Sequence, residues 1–190
     1  VYRSDLETVE VKRARTILPD GRVLEIPKQA IVDEPMFPDS KAYKNLRHLQ
    51  INYPGVKPNG IVEFHIVTKR KASNNNKWWA VTYVQNPEPL IESTFDVRVP
   101  QGSKLNWATP GLNNRAPEVS IDGSWDRYFW KVRQLPPFEG EPFAPSALQT
   151  MQRIEITNFE NWSELRQWFD KGWSAATESN DKITQITQGL

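Results

Sequence analysis

The alternation of apolar and polar residues in LIESTFDVRVP, residues 90–100, constrains the fold more than any other feature of the chain. Its inward-facing positions are Ile91, Ser93, Phe95, Val97 and Val99, and its polar positions are Glu92, Thr94, Asp96 and Arg98. Successive side chains of a strand point to opposite faces of a sheet. The segment therefore predicts an antiparallel strand with one buried and one solvated face.

Similar strand-like runs recur along most of the chain. They are VEVKRARTIL, HLQINYP, IVEFHIVTKRK, WWAVTYVQ, WDRYFWKVRQLPP and MQRIEITNF. The residues between the strands include LPDG at 18–21, where Pro19 suits the first corner of a turn and Gly21 a bulge. The runs on either side of KASNNNK predict a long antiparallel hairpin. Together they indicate an all-β fold, an antiparallel β-sandwich that is immunoglobulin-like or larger, over residues 1–160.

The hydrophobic period changes to a helical one at residue 161. The apolar stripe consists of Trp162, Leu165, Phe169 and Trp173. Asn161 predicts an N-cap and Glu164 the second half of a capping box. A further helix is expected within SNDKITQITQGL, residues 179–190. We interpret residues 161–190 as a helical segment that leads toward another domain, and the stripe as a packing face.

Composition excludes several classes of function. The chain has 190 residues, enough for one large domain or for one domain with an appendage. Its 24 basic and 23 acidic residues nearly cancel, which argues against a nucleic-acid-binding protein. Cysteine is absent, so the chain itself has no thiol nucleophile, cysteine zinc ligand or disulfide. No apolar run reaches the roughly 18 residues of a membrane span.

Histidine and carboxylate patterns give little support for catalysis. The chain has two histidines, His48 and His65, both predicted on polar strand faces, and it has no G-x-S-x-G motif for a nucleophile. The same two residues with Glu63 are fewer ligands than a supported zinc site needs. We therefore predict neither a metal nor a cofactor, and no catalytic residue.

Two pairs of carboxylates lie in loops or beside turns. They are Glu139 with Glu141 and Asp122 with Asp126. Paired carboxylates hydrolyse glycosides when their spacing is correct. Because acidic residues are common in such places, we interpret these as surface residues.

Tryptophans are the strongest candidates for binding. The chain has eight, of which Trp78, Trp107 and Trp125 are candidate exposed residues that can stack on sugars or anchor a protein interface. Trp79 and Trp130 are predicted to fill the core. The basic run TKRKASNNNK, residues 68–77, is expected to be the solvated tip of a hairpin.

An ordered series of segments resembles a known family over nearly the whole chain. The segments are RARTILPDGRVLEIP, YPGVKPNGIVEFH, WWAVTYVQNPEPLIESTFDVRVP, WKVRQLPPFEGEPFAPS and NFENWSELRQWF. This series is similar to the bacterial domain of unknown function that precedes transglutaminase-like domains. Members of that family usually carry more β structure before the first of these segments, so one or two upstream strands are expected to be missing here.

The resemblance implies a β-sandwich with an accessory role in an exported, often periplasmic, bacterial protein. It implies contact with a downstream transglutaminase-like domain that carries a Cys–His–Asp triad, expected to follow Leu190. It offers no catalytic residue within this chain. The alternative is a carbohydrate-binding β-sandwich that uses Trp78, Trp107 or Trp125 as its platform.

Overall fold

A computed structural model of the protein describes residues 1–71, 76–140 and 143–177. The described residues form four three-stranded antiparallel sheets, with short helices and one longer helix at the end. This architecture confirms the predicted all-β sandwich class, whereas the immunoglobulin-like arrangement stays a prediction. The chain divides into two compact units, Val1–Asn74 and Asn75–Leu190.

The first unit contains two sheets, ordered β1–β5–β4 and β3–β2–β6. Its strands are β1 (Tyr2–Arg3), β2 (Glu7–Ile17), β3 (Val23–Glu25), β4 (Ile31–Pro35), β5 (Leu46–Ile51) and β6 (Ile61–Arg70). The longest pairing joins β2 to β6, with an irregularity between Val11 and Arg13. Apolar burial is modest here, and Phe64 of β6 is exposed.

The turn at residues 18–21 is a structural element of this unit. The N–H of Leu18 donates to the carbonyl of Arg22 at 2.8 Å, and the N–H of Gly21 donates back to the carbonyl of Leu18 at 2.9 Å. Gly21 has a φ of +85°, which a residue with a Cβ adopts only with strain. The Asp20 carboxylate accepts the Arg22 N–H at 3.0 Å. This geometry confirms the predicted turn and its glycine bulge.

The second unit contains sheets ordered β10–β11–β8 and β7–β12–β9. Its elements are β7 (Trp79–Tyr83), β8 (Leu90–Pro100), β9 (Asn106–Ala108), β10 (Glu118–Asp122), β11 (Trp125–Leu135), α1 (Ala147–Thr150), β12 (Arg153–Thr157) and α2 (Trp162–Thr177). The two sheets share one core, whose buried residues are Val84, Val99, Leu105, Trp130, Ile154 and Ile156. This unit is a small sandwich in its own right.

Trp130 lies at the centre of that core with 1% of its surface exposed. Its ring lies 5.8 Å from Phe95 and 6.2 Å from Trp107, measured between centroids. Its indole N–H donates to the carbonyl of Arg115 at 3.2 Å. The burial predicted for Trp130 is therefore confirmed, and the one polar atom of its ring is satisfied inside the sandwich.

The alternation in β8 is confirmed over most of the strand. Val99 is buried, and Phe95 and Val97 pack against the core. Ile91 departs from the pattern, with 84% of its surface exposed. It lies where β11 leaves the regular register at Gln134, which has a φ of +55°.

The predicted hairpin around KASNNNK is wrong. β6 pairs with β2 in the first unit, and β7 pairs with β12 in the second unit. The strands on either side of this loop thus find distant partners instead of each other. Residues 72–75 of the loop lie outside the described part of the chain, as do Glu141 and the second C-terminal helix predicted for 179–190.

The burial predicted for Trp79 is also wrong, because 54% of its surface is exposed. The preceding residue, Trp78, is half-buried and packs against the core of the second unit. Neighbouring strand residues face opposite sides of the sheet, so only one of the two indoles can point into the sandwich.

We predict that Trp130→Ala lowers the free energy of unfolding by about 3–5 kcal/mol, because it leaves a cavity at the centre of the sandwich. Trp130→Phe loses the N–H donor but keeps an aromatic ring in the core. Its free energy of unfolding should therefore fall by less than that of Trp130→Ala. Urea denaturation followed by circular dichroism measures both. Trp162→Ala, at an exposed site, serves as the control and changes stability by about 0.5 kcal/mol or less. Equal losses for Trp130→Ala and the control would contradict this role.

Candidate interaction surface

A hydrogen-bonded cluster fixes the start of β7 to the end of β12. The Asn158 side chain accepts the Trp78 N–H at 2.8 Å and donates to the carbonyl of Asn76 at 2.7 Å. The hydroxyl of Thr157 donates to the Trp78 carbonyl at 2.9 Å. The chain that leaves β12 toward α2 is therefore held in one position.

The N-terminus of α2 is capped as the sequence predicts. The Asn161 side chain accepts the Glu164 N–H at 3.0 Å. The Glu164 carboxylate accepts the Glu160 N–H at 2.7 Å, one residue before the position expected for a standard capping box. The same carboxylate lies 2.6 Å from the Lys77 ammonium group. The Lys77 hydrogen bond, followed by the Glu160 N–H, lowers the pKa of Glu164.

An aromatic cluster docks one face of α2 on the sandwich. The Trp168 ring lies edge-on 5.7 Å from Trp79 and 5.8 Å from Phe159. Phe159 is buried and Lys77 lies 5.7 Å above its ring. The Trp79 ring, which is not buried in the core, therefore contacts the helix. Trp168 was not among the residues predicted for contact, although it follows Leu165 at a helical spacing of three.

The remaining aromatic residues of α2 form an exposed stripe, which we call the aromatic stripe. Its members are Trp162, Phe169 and Trp173, with 84%, 58% and 62% of their surface exposed. The rings of Phe169 and Trp173 stack at 6.1 Å. Leu165, which the sequence placed in the same stripe, is half-buried. At 100° per residue the members of the stripe lie about 100° to 140° around the helix from the docked Trp168.

The other candidate tryptophans do not come together. Trp107 on β9 is partly exposed and packs edge-on against Trp130. Trp125 is partly exposed at the start of β11, opposite Pro100. Trp78 is half-buried. Among the described residues no ring contact joins Trp78, Trp107 and Trp125, so they offer separate positions and no continuous platform.

The two histidines are separated by the topology of the first unit. His48 lies on β5, with its Nε2 3.1 Å from a carboxylate oxygen of Glu34. His65 lies on β6 of the other sheet, opposite Arg13. Glu63 is engaged by Arg13 and Arg15 instead, and the Arg15 hydrogen bond lowers its pKa. Across the described ranges no three potential metal ligands form a group.

Two of the candidate carboxylates, Asp122 and Asp126, have structural partners, whereas Glu139 is exposed. Asp126 accepts the N–H of Gly102 at 2.9 Å, and Asp122 lies 3.3 Å from Arg98. The outer face of the β10–β11–β8 sheet also carries a groove of about 390 Å³. Its charged lining includes Lys131 and Arg133, both of which pair with Glu92 of β8. These groups hold the sheet surface together.

No described helix is sufficiently long and apolar to cross a membrane. Fold and site together define a two-unit, all-β protein whose most distinct surface is an aromatic helix face.

Comparison with known proteins identifies its family. Residues 1–139 match the family described as "Domain of Unknown Function with solved-structure structure (DUF3857)", and the chain belongs to that family. The match confirms the resemblance to a bacterial domain of unknown function. No curated protein matches.

One solved structure shares the fold. It is the 2.00 Å crystal structure of a "putative protease" from Parabacteroides distasonis ATCC 8503, with a TM-score of 0.79 at 20% identity. The alignment covers 90% of this chain and 34% of that one, so this chain spans about a third of its length. At 20% identity, the similarity between the two proteins shows a shared fold.

We predict that Trp168→Ala increases amide hydrogen exchange across 162–177 by roughly tenfold or more, since a helix of this length is marginal without tertiary contacts. The neighbouring Phe169→Ala, on the aromatic stripe, is the matched control and leaves exchange nearly unchanged. Mass spectrometry of peptic fragments measures both. Similar exchange in the two variants would show that Trp168 does not dock the helix.

A second prediction concerns pH and the Glu164–Lys77 pair. Because folding lowers the pKa of Glu164, its stabilisation is fully present above the unfolded pKa, about 4.3, and is lost as pH falls through the folded pKa. The stability difference between the wild type and Glu164→Gln should therefore be largest near pH 7 and shrink below about pH 4. Denaturation titrations at several pH values test this, and a constant difference would contradict it.

Proposed function

We propose that the chain is a non-catalytic accessory domain of a bacterial transglutaminase-like protein and acts through protein contacts. In this proposal residues 1–160 form the β region, and residues 161–190 lead toward the enzymatic domain. The observation that carries it is the aromatic stripe of Trp162, Phe169 and Trp173 on a helix whose other face is docked. Exposed apolar patches of this kind mark interaction surfaces.

The position of the stripe supports this role. The family match ends at residue 139, and α2 follows it with a rigid base built from Asn158, Asn161 and Glu164. The Parabacteroides protein carries the same fold within a much longer chain. A helix that is locked at its base and apolar on its free side suits the orientation of a neighbouring domain.

The full gene sequence tests the enzymatic context. We expect the reading frame to continue past Leu190 into a segment that supplies Cys, His and Asp. A reading frame that ends at Leu190 would refute the accessory role. We further propose that the parent protein is exported to the periplasm, which cell fractionation tests.

The stripe itself is tested in the full-length parent protein. We predict that the double variant Phe169→Ala/Trp173→Ala increases proteolytic cleavage between α2 and the following domain several-fold, because Trp and Phe commonly anchor such contacts. Ile121→Ala, an equally exposed apolar residue on β10, is the control. Unchanged cleavage in the double variant would place the contact elsewhere.

A carbohydrate-binding role is the second candidate, supported by the partial exposure of Trp107 and Trp125. Sugar stacking on either indole would alter tryptophan fluorescence, and Trp107→Ala or Trp125→Ala would abolish the change. A broad polysaccharide panel that leaves fluorescence unchanged would eliminate this candidate.

A further inference from the structure

β8 has a free edge. It spans 11 residues, Leu90–Pro100, and pairs only with β11 in the sheet β10–β11–β8. Among the described residues no other strand bonds to its second edge. Natural sheets usually cover, shorten or break an edge of this length, because its unpaired backbone groups invite another strand.

The turn between β10 and β11 shows which backbone groups of β8 point outward. Asp122 and Trp125 flank a two-residue turn and pair with each other, as the hydrogen-bonded pair that closes such a hairpin. Odd-numbered residues of β11 therefore bond to β10, and its even-numbered residues bond to β8. The Gln101 N–H, which donates to the Ser124 carbonyl at 2.9 Å, follows this order.

From this pairing the outward backbone groups of β8 belong to its even-numbered residues, four of which lie between the two ends of the strand. They are Glu92, Thr94, Asp96 and Arg98. All four side chains are exposed, and they lie on the solvated face of the sheet. The free edge thus carries an acid near one end and a base near the other.

We propose that two copies of the chain associate through the free edges of β8, antiparallel and centred on Phe95. In this register Glu92 of each copy lies opposite Arg98 of the other, and Thr94 lies opposite Asp96. Every outward N–H and C=O of these residues then has a partner, which gives about eight intermolecular hydrogen bonds. The two sheets become one continuous six-stranded sheet.

The charges favour this register over the two adjacent ones, which are centred on Thr94 and on Asp96. Moving the centre to Thr94 places Glu92 opposite Asp96, and moving it to Asp96 places two copies of Asp96 opposite each other. Like charges directly opposite one another destabilise a strand pair, whereas opposite charges stabilise it. Charged residues on an edge strand usually discourage pairing with another strand. Here they allow pairing with an antiparallel strand that carries a base opposite Glu92 and an acid opposite Arg98. A second copy of this chain, running antiparallel, meets both requirements.

The first test uses charge variants in sedimentation equilibrium from about 10 μM to 1 mM, the range expected for a small interface. The wild-type chain should form dimers. Glu92→Lys and Arg98→Glu, each alone, should weaken self-association by roughly tenfold or more, since like charges then face each other twice per dimer. Glu118→Lys, on the opposite edge of the same sheet, should leave it unchanged.

An equimolar mixture of Glu92→Lys and Arg98→Glu distinguishes edge pairing from loss of folding. In the mixed dimer both cross-strand pairs again join opposite charges, so association should return to near the wild-type level. Repulsion within each chain stays the same in the mixture, so restored association cannot come from better folding. A wild-type chain that stays monomeric at 1 mM, or a mixture that stays as weak as its components, would overturn the proposal.

The register can be checked separately, because the chain has no cysteine of its own. A mixture of Thr94→Cys and Asp96→Cys places the two thiols in directly opposed positions, about 5.5 Å apart between Cα atoms, within disulfide reach. A mixture of Thr94→Cys and Arg98→Cys displaces them. Under mild oxidation the first mixture should cross-link several-fold faster. Equal rates would overturn the assigned register.

Discussion

The second unit depends on the burial of Trp130 between its two sheets. This residue belongs to β11, the middle strand of one sheet, and it contacts Phe95 on β8 and Trp107 on β9 of the facing sheet. The Arg115 carbonyl accepts its N–H, so the loop before β10 is tied to the same ring. Because one indole joins both sheets and a loop, the positions of β8, β9 and β10 all follow from it. The docking site of α2 is built on this sandwich.

The alternation of residues in the sequence predicts most strands but not which strands pair with each other. Alternation is a local property, so the buried face of β8 and the glycine turn at Gly21 could be read directly from the residues. Strand pairing depends on contacts far apart in sequence. β6 pairs with β2 and β7 with β12, and nothing in the letters around 71–77 distinguishes this from a hairpin. Strands that are adjacent in sequence, β6 and β7, therefore do not pair with each other.

The candidate site shows a similar limit. Helical spacing correctly located α2, and the residue types at 161 and 164 correctly located its cap. An amphipathic pattern does not say which apolar residues meet the sheet when a helix has more of them than one face can bury. Trp168 docks because Trp79 and Phe159 present their rings to it. That match depends on the facing strand and loop, and α2's own sequence does not contain it.

Polar chemistry in the second unit is devoted mainly to its surfaces. Glu92 pairs with Lys131 and Arg133, and Arg127 with Asp96, across neighbouring strands of the outer sheet face. The Arg133 hydrogen bond, with that of Lys131, lowers the pKa of Glu92, and the Arg127 hydrogen bond lowers that of Asp96. Carboxylates held ionised by arginine are poor proton donors near neutral pH. The same charges are well suited to setting the register of an edge, and an exposed aromatic helix is well suited to contact. In this unit these ion pairs join neighbouring strands of the outer sheet face.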